Sequence, residues 1–380
     1  MSEVAVYYFP HYHQDARSAI EHGPGWTEWE LVKRAEPRFT GHKQPNAPAW
    51  GETDEADPQD MAQKIDAAAD HGIDTFIFDW YWYNDGPFLQ RGLDDGFLNA
   101  PNNDRLKFAL MWANHDWIDI HPMKACDNAL ENARLLYPGA VTPETFETIM
   151  DVCIERYFKH PSYWLLDGCP YFSLYELTKL ISGFGSMEKT RELFDRFREK
   201  VKAAGFKDLH LNAVTWNNAI LPGETAPTDP KVLVDALGFD SVTSYVWIHH
   251  YAPDDFPTVE YNDIRDAYMK YWDEAEKKYD LPYYPNVTMG WDASPRTVQS
   301  DAYENRGYPF MYTIANNTPE NFKNALEATK ARLDESSVPA PFLTINAWNE
   351  WTEGSYLEPD QKHGMKYLEA IRDVFKKTTR

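Results

Sequence analysis

Apolar runs that suit buried strands alternate along the chain with segments whose apolar residues recur at helical spacing. The run at 74–83 is almost continuously apolar, as is typical of strands buried on both faces of a parallel sheet. The segment 59–71 has helical spacing and follows the start signal Asp57-Pro58. Eight strands are predicted, at residues 4–10, 74–83, 107–112, 170–175, 209–216, 241–247, 284–291 and 341–345. The intervening helices are predicted at 59–71, 88–98, 143–159, 187–204, 231–237, 264–278, 319–333 and 365–375.

This alternation predicts an α/β fold, a (β/α)8 TIM barrel with long βα loops, because eight parallel strands close a barrel. No internal repeat, low-complexity tract or linker interrupts the pattern, so residues 1–380 are predicted to form one domain. An open doubly wound sheet is the rival fold. No glycine-rich phosphate fingerprint follows the first strand, which counts against that rival.

Composition and charge narrow the class of partner. The chain has 37 basic and 60 acidic residues, a formal charge of −23, which argues against nucleic acid and anionic membranes as partners. No apolar stretch approaches the roughly 18 residues of a membrane span. The odd number of cysteines (Cys126, Cys153 and Cys169) matches no metal spacing and argues against a disulfide framework. No signal peptide precedes the first strand, so we expect a cytoplasmic protein, or a periplasmic or secreted one if a leader was removed.

The segment 341–360, PFLTINAWNEWTEGSYLEPD, combines a strand with unusual chemistry. Its apolar run leads into Glu350 and Glu353, three residues apart and beside Trp348 and Trp351. Buried carboxylates need partners, and glycoside hydrolysis requires such a pair, one to protonate the leaving oxygen and one to assist attack at the sugar. A helix N-terminus, where Glu353 caps free N–H groups and Glu350 pairs with a basic residue, is the alternative interpretation.

Tryptophans and polar residues crowd the predicted carboxyl ends of the strands, where the active sites of such barrels gather. Nine of the 14 tryptophans lie on the strands or just past them, namely Trp80, Trp82, Trp112, Trp117, Trp216, Trp247, Trp291, Trp348 and Trp351. The polar residues of the same rim are Asp79, Asn114, His115, Asp116, Asn217, His249, Asp292 and Asn349. Indoles stack on the apolar faces of sugar rings, and these polar groups suit hydroxyls better than phosphates.

Two other chemistries were weighed. A divalent metal could be held by the histidines of 11–13 with Asp79, His115 and Asp116, but no H-E-x-x-H or regular ligand spacing supports it. A serine nucleophile requires a Gly-x-Ser-x-Gly elbow, and residues 182–186 have the wrong pattern and are predicted to lie in a loop after the fourth strand. We therefore predict no metal and no cofactor.

Segments along nearly the whole chain carry a family resemblance. They are residues 7–10, 25–48 (GWTEWELVKRAEPRFTGHKQPNAP), 112–114, 290–292 with 295–296, and 345–360 (INAWNEWTEGSYLEPD). The chain resembles the WbsX-like group, which is similar to glycoside hydrolase family 99. The resemblance implies a (β/α)8 barrel and matches Glu350 and Glu353 to the two glutamates of retaining endo-α-mannosidases, thought to act through a 1,2-anhydro sugar. By that analogy Glu350 takes the proton of the sugar 2-hydroxyl, and Glu353 is acid and then base at the leaving oxygen.

One position departs from the family pattern. Many relatives have a carboxylate where His115 stands, so mannose is not carried over as the substrate. The WbsX-like group is also often labelled glycosyltransferase, but we find no diphosphate cradle and no Asp-x-Asp metal site.

The sequence therefore predicts a metal-independent retaining glycoside hydrolase acting within an α-linked glycan, with Glu350 and Glu353 as catalytic residues and carbohydrate as partner. The candidate substrate-binding residues are Tyr8, Trp29, Asp79, Trp80, Asn114, His115, Trp117, Trp247, Trp291, Asp292, Trp348, Asn349 and Tyr356. A glycosyltransferase using an activated donor and a non-catalytic carbohydrate-binding barrel are the alternatives.

Overall fold

A computed structural model describes residues 2–126, 133–221, 223–225, 229–338 and 340–375. Nine parallel strand segments form the central sheet, in the order β7-β6-β5-β4-β3-β2-β1-β9-β8. In chain order they are β1 Glu3–Tyr8, β2 Thr75–Tyr83, β3 Lys107–Trp112, β4 Cys169–Leu174, β5 His210–Val214, β6 Ser241–Thr243, β7 Tyr283–Tyr284, β8 Asn286–Thr288 and β9 Phe342–Asn346. With helices around it, this nearly closed barrel confirms the predicted (β/α)8 fold.

The predicted seventh strand is divided by Pro285 into β7 and β8. β7 pairs with β6, while β8 pairs with β9 on the other side. Pro285 has no N–H to donate, but its carbonyl accepts a hydrogen bond from Thr344 N at 2.9 Å. The two ends of the strand order therefore meet at a single residue, which is where the barrel closes.

Several helices begin at a residue whose side chain caps the first turn. The side chains of Asp57, Thr142, Ser186 and Thr318 each accept a backbone N–H of the first helical turn. Each such cap contributes about 1 kcal/mol to helix stability. The helices span Ala16–His22, Trp29–Arg34, Pro58–Asp70, Pro143–Val152, Leu177–Phe184, Met187–Ala203, Pro230–Leu237, Tyr261–Lys278, Pro319–Glu335 and Lys366–Phe375. None of the helices in the described ranges is long and apolar enough to cross a membrane.

The prediction of a helix over 88–98 was wrong. Gly86–Phe88 folds back antiparallel on β2, and Gly92–Phe97 forms a single π-helical turn. A Cβ at Gly96 would lie 2.0 Å from the carbonyl oxygen of Glu55, so this turn packs against backbone that an ordinary side chain would displace. The helices Ala16–His22 and Trp29–Arg34 lie between the first two predicted strands, where the apolar pattern predicts only the helix at 59–71.

Short polar side chains pair inside the barrel below the carboxyl ends of its strands. Asn212 donates to Ser173 Oγ at 2.9 Å and to Thr243 Oγ1 at 2.8 Å. Asn286 donates to Thr344 Oγ1 at 3.1 Å. The amides of Asn212 and Asn286 thus find hydroxyl partners within this buried polar layer.

His210, at the amino end of β5, should make stability depend on pH. Burial lowers the pKa of its imidazole to about 4, whereas an unfolded histidine titrates near 6.5. The native state therefore binds fewer protons between these values, and stability is lost as pH falls from about 6.5 to about 4. We expect His210→Gln to remove about 1–3 kcal/mol of that loss. Denaturant unfolding of both proteins at pH 7 and pH 4.5 measures it, and an equal difference at the two pH values would contradict the assignment.

Candidate active site

A tight hairpin positions the two predicted catalytic glutamates at the carboxyl end of the barrel. Asn349–Glu350 pairs antiparallel with Ser355–Tyr356 around a 3-10 turn, Trp351–Glu353. Gly354 ends the turn with φ +62°, and a Cβ there would lie 2.7 Å from Asp292 Cβ. Only glycine combines this conformation with this approach, so the hairpin is held firmly against the loop after β8.

One buried guanidinium contacts both glutamates. Arg296 Nη1 lies 2.5 Å from Glu353 Oε1, and its Nη2 lies 3.2 Å from Glu350 Oε2. A third carboxylate, Glu28, lies 2.8 Å from Nη2 and also accepts from Thr352. All of these groups are almost fully buried. Since the carboxyls outnumber the cation by two, they cannot all be ionised at low cost.

The three acids therefore titrate differently. Burial works to raise the pKa of Glu28, but Arg296 and His11 outweigh it and hold that pKa well below its usual range. Burial raises the pKa of Glu350 strongly, with repulsion from Glu353 adding to the effect. Burial also raises the pKa of Glu353, against the opposing attraction of Arg296. Glu28 is thus the ionised counterion of Arg296, whereas Glu350 and Glu353 both bind a proton more readily than an exposed glutamate does.

Two phenols complete the hydrogen bonding and make the pair unequal. Tyr308 donates to Glu353 Oε1 at 2.8 Å and accepts from Arg296 Nη1 at 2.6 Å. The Tyr245 hydroxyl lies 3.4 Å from Glu350 Oε1. Glu353 thus receives two short hydrogen bonds, whereas the contacts of Glu350 are longer.

Glu350, Glu353, Arg296 and Tyr245 line one pocket at the carboxyl end of the barrel. One wall is a stack in which Trp117 lies between His121 (ring centroids 5.5 Å apart) and His115 (6.2 Å). Burial lowers the pKa of both imidazoles, so they are neutral. The other residues that line the pocket are Phe9, Asp79, Tyr81, Met111, Ala113, Asp116, Ile118, Ile120, Tyr175 and Leu221.

The structure brings five of the predicted residues into this pocket and places three others elsewhere on the rim. Glu350, Glu353, Asp79, His115 and Trp117 line the pocket. A second, polar cavity with an empty volume of about 990 Å³ lies behind Gly354 and is lined by Trp291, Asp292 and Tyr356. The Asp292 carboxylate there hydrogen-bonds to His42 at 2.8 Å and to Gln44 at 2.6 Å, so it is already partnered within the protein.

The remaining predicted indoles pack in the interior and line neither cavity. Trp29 donates to Thr53 O at 3.0 Å and Trp247 to Asn286 O at 2.8 Å. Trp80 stacks on Trp82 with centroids 5.4 Å apart.

Trp348 of the hairpin segment is also held away from both cavities. Its Nε1 donates to Glu358 at 3.0 Å, as does that of Trp351 at 2.7 Å. Glu358 in turn is paired with Lys64 at 2.8 Å. The two indoles therefore anchor the hairpin from behind.

Tyr8, Asn114 and Asn349 make internal hydrogen bonds and line neither cavity. Tyr8 accepts from Lys64 Nζ at 3.2 Å. Asn114 binds the backbone N–H and carbonyl of Glu176, at 2.8 and 2.6 Å. Asn349 clamps Phe9 in the same manner, at 2.8 and 2.7 Å, which ties the hairpin to the end of β1.

Sequence reasoning did not assign Arg296, Glu28, Tyr245 or Tyr308 to the site. Glu28 and Arg296 fall in segments 25–48 and 295–296, so the resemblance was a signal for both. Tyr245 and Tyr308 lie on loops and carry no local pattern.

The metal alternative is not assembled as the sequence suggested. His13 pairs with Glu55 at 2.8 Å and Asp116 with Lys179 at 2.5 Å. A different group, His11 with Glu28 and His121, places ligand atoms within 4.8 Å of one another. Both ring nitrogens of His11 already hydrogen-bond, to Glu28 at 2.7 Å and Ser18 at 3.0 Å, and Glu28 is the counterion of Arg296. His11 and Glu28 are thus already engaged by protein partners, so of these three residues only His121 keeps a ring nitrogen, Nδ1, without a partner among the described residues, and the fit to a cation is poor.

The fold and the placement of the site define a (β/α)8 barrel of the architecture found among glycoside hydrolases. A solved family 99 endo-α-mannosidase from Bacteroides thetaiotaomicron, in complex with Bis-Tris propane, is 14% identical, with a TM-score of 0.56 and coverage of 98% of this chain and 95% of that one. A glycoside hydrolase-like protein is 16% identical, with a TM-score of 0.62 and coverage of 99% and 94%. The chain belongs to the WbsX family, whose model, described as "Glycosyltransferase WbsX", matches residues 4–371. The predicted resemblance is thereby confirmed.

Curated relatives carry no activity in their names. The uncharacterized protein WxcX of two Xanthomonas campestris pv. campestris strains is 25% identical over 387 residues. That alignment covers 98% of this chain and 49% of the relative, so the chain spans about half the length of the curated relatives it matches.

Proposed function

We propose that this protein is a retaining glycoside hydrolase that cleaves internal linkages of an α-linked glycan. One observation carries the proposal: Glu350 and Glu353, three residues apart on one hairpin, face the same pocket and share one guanidinium. Glycoside hydrolysis requires two carboxyls in opposite protonation states at one sugar. Both carboxyls have raised pKa values, and repulsion between them favours a state in which one is protonated and the other ionised.

In the proposed cleavage every proton that one group gives up is accepted by another. Glu350, ionised, takes the proton of the sugar 2-hydroxyl, and that oxygen attacks C1 to give a 1,2-anhydro sugar. Glu353 protonates the leaving oxygen as its bond to C1 breaks. Water then attacks C1 while Glu353 accepts its proton, and Glu350 returns its proton to O2. Two displacements at C1 retain its configuration, and both glutamates end as they began.

The surroundings of the pair suit these roles. Arg296 and Tyr308 fix the orientation of Glu353 at 2.5 and 2.8 Å, and preorganised donors of this kind lower the cost of charge changes during reaction. The stacked rings of His115, Trp117 and His121 give the pocket an aromatic wall.

A glycosyltransferase with a nucleotide-sugar donor is the competing function, named in the description of the family. Such a donor carries a diphosphate, which needs several cations, a metal or a cradle of backbone N–H groups. Among the described residues lining the pocket, Arg296 is the only Arg or Lys, and three carboxylates already surround it. The pocket therefore favours a neutral glycan over a nucleotide sugar.

The test is a panel of α-linked oligosaccharides and polysaccharides incubated with the protein and, as a matched control, with Glu353→Gln. We expect cleavage by the natural protein alone, with proton NMR showing that the first product formed keeps the α configuration. Calorimetry with nucleotide sugars is run in parallel and should show no binding. Tight nucleotide-sugar binding would overturn the proposal in favour of transfer, and glycan binding without turnover would select a non-catalytic barrel.

A further inference from the structure

Glu28 is a fully buried carboxylate that the proposed mechanism does not use. It precedes the helix Trp29–Arg34, yet its side chain does not cap that helix. Its Oε1 accepts from Arg296 Nε at 2.9 Å and from the Thr352 hydroxyl, while its Oε2 lies 2.7 Å from His11 Nδ1. Contacts with three separate loops around the active site, and not its own helix, therefore hold this side chain in place.

The guanidinium of Arg296 is divided between Glu28 and the two glutamates of the pocket. Its Nε and Nη2 lie 2.9 and 2.8 Å from the same oxygen of Glu28. Its Nη1 lies 2.5 Å from Glu353, and its Nη2 lies 3.2 Å from Glu350. The Phe9 ring centroid lies 5.4 Å from the guanidinium carbon. Glu28 thus occupies one whole edge of the cation, and Glu350 has the longest of these contacts.

We propose that Glu28 is a positioning residue that holds Arg296 by one edge and thereby keeps this cation from neutralising both Glu350 and Glu353. The inference rests on the proposed function, because an acid and a base must coexist in that pair. If the pair alone shared Arg296, the cation would stabilise both members as carboxylates, and no acid would remain for the leaving oxygen. With Glu28 ionised the cation is already balanced, so ionising both members would leave two unbalanced buried charges.

The charges around the pair are consistent with this role. Burial raises the pKa of Glu350 and of Glu353; Arg296 opposes this effect, and the negative charge of Glu28 adds to it. Burial also works to raise the pKa of Glu28 itself, but Arg296 and His11 outweigh it, so that pKa lies well below its usual range. Glu28 is therefore ionised wherever the pair titrates.

Other titratable groups also face these carboxyls. Those that face Glu28 are His22, His121 and Tyr12. Those that face the pair are Asp79, Glu224, Tyr12, Tyr81, Tyr175, Tyr245 and Tyr308. Burial raises the pKa of all five phenols, so they stay neutral and add no charge to the site.

NMR titration tests the role of Glu28 without any assay of activity. The glutamate side-chain carboxyls are labelled with carbon-13 in the natural protein and in Glu28→Gln, and the signals are assigned with Glu28→Asp, Glu350→Gln and Glu353→Gln. In the natural protein we expect Glu28 to stay ionised to the lowest pH at which the fold persists. In Glu28→Gln the shape of the side chain is kept and its charge is lost, so the higher midpoint of the pair should fall by about one pH unit.

Two results of this titration would overturn the role of Glu28, whatever the protein is found to cleave. One is an unchanged pair of midpoints in Glu28→Gln. The other is a Glu28 carboxyl that titrates together with the pair in the natural protein. The second result needs no folded Glu28→Gln, so the proposal can be decided even if that variant does not fold.

Kinetics supply the second readout, on a glycan that the natural protein cleaves. The alkaline limb of the kcat–pH profile reports loss of the proton from the acid of the pair in the bound complex. Because Glu28→Gln removes a negative charge beside Arg296, we expect that limb to move to lower pH by about one pH unit. Glu28→Asp keeps the charge and should keep the limb near its natural position. A mere loss of packing would lower kcat without moving the limb.

Glu55→Gln is the matched control. Glu55 is also fully buried and lies 2.8 Å from a histidine, His13, whereas the ion pairs of Arg296 are made with Glu28, Glu350 and Glu353. Its substitution should therefore leave the limb in place. An equal shift in Glu55→Gln, or a shift in Glu28→Asp as large as that in Glu28→Gln, would contradict the assignment. Failure of every glycan on the panel would count against the proposed function, while the NMR titration would still decide the role of Glu28.

Discussion

Glu353→Gln is expected to lower kcat by about 10²–10⁴-fold on a glycan with an unactivated leaving group, because that is the usual contribution of a positioned general acid or base. The amide keeps the size of the side chain and can still accept from Arg296 and Tyr308, which contact Glu353 at 2.5 and 2.8 Å. It cannot donate an acidic proton to the leaving oxygen. The loss should therefore fall on kcat, measured by initial rates at saturating glycan, with the fold intact.

Glu350→Gln should lower kcat as much as Glu353→Gln does. The two variants should nevertheless differ in how their rates depend on the leaving group. An aryl glycoside with a good leaving group needs no acid, so its first step should be largely restored in Glu353→Gln and not in Glu350→Gln. Glu176→Gln is the matched control, since Glu176 is a buried glutamate that does not line the pocket. Equal rescue of both variants, or activity surviving both substitutions, would exclude the assigned roles.

Arg296→Met is expected to destabilise the protein by about 3–5 kcal/mol, the usual cost of removing one partner of a buried ion pair. Three buried carboxyls, Glu28, Glu350 and Glu353, would lose their common cation. Without it their folded-state pKa values would lie above the unfolded values, so the native state would bind more protons and lose stability as pH rises. The destabilisation should therefore be larger at pH 8 than at pH 5, measured by denaturant unfolding at both.

Arg296→Lys separates charge from geometry. An ammonium restores the positive charge but is a compact group without the planar fork that reaches several carboxylates at once. We expect the stability of Arg296→Lys to lie between that of the natural protein and that of Arg296→Met, with activity still low. A destabilisation by Arg296→Met that is small and independent of pH would show that the three acids do not depend on Arg296.

The barrel could be predicted because its strands are apolar on both faces and stand out from the helical segments between them. β3 has the predicted bounds, Lys107–Trp112. The apolar pattern did not reveal the interruption at Pro285, because the residues on both sides of it are apolar or have short side chains. The prediction of a helix over 88–98 was wrong because Gly92 and Gly96 pack against Glu55. No local sequence pattern predicts this contact, since it joins separate parts of the chain.

The site was predicted less completely, and strand alternation is the reason. Asp79 and Tyr81 of β2 line the pocket, while Trp80 between them packs toward Tyr157 in the outer layer. In the same manner Met111 lines the pocket and its neighbour Trp112 does not. When both faces of a strand are apolar, the sequence does not reveal which residues point inward.

The contact between Arg296 and Glu28 could not be predicted for a different reason. They are 268 positions apart along the chain, yet Arg296 Nε lies 2.9 Å from Glu28 Oε1. Their approach depends on two loops at the carboxyl end of the barrel, so spacing within either segment does not predict it.

The anchoring of the hairpin bears on attempts to rebuild this chemistry in another scaffold. Copying residues 349–356 alone would transfer the two acids together with the indole N–H of Trp351, whose partner, Glu358, had been left behind. That partner in turn needs Lys64, which comes from the helix Pro58–Asp70 near the other end of the chain. The smallest portable unit is therefore discontinuous, and a designer would have to graft it as a three-dimensional constellation.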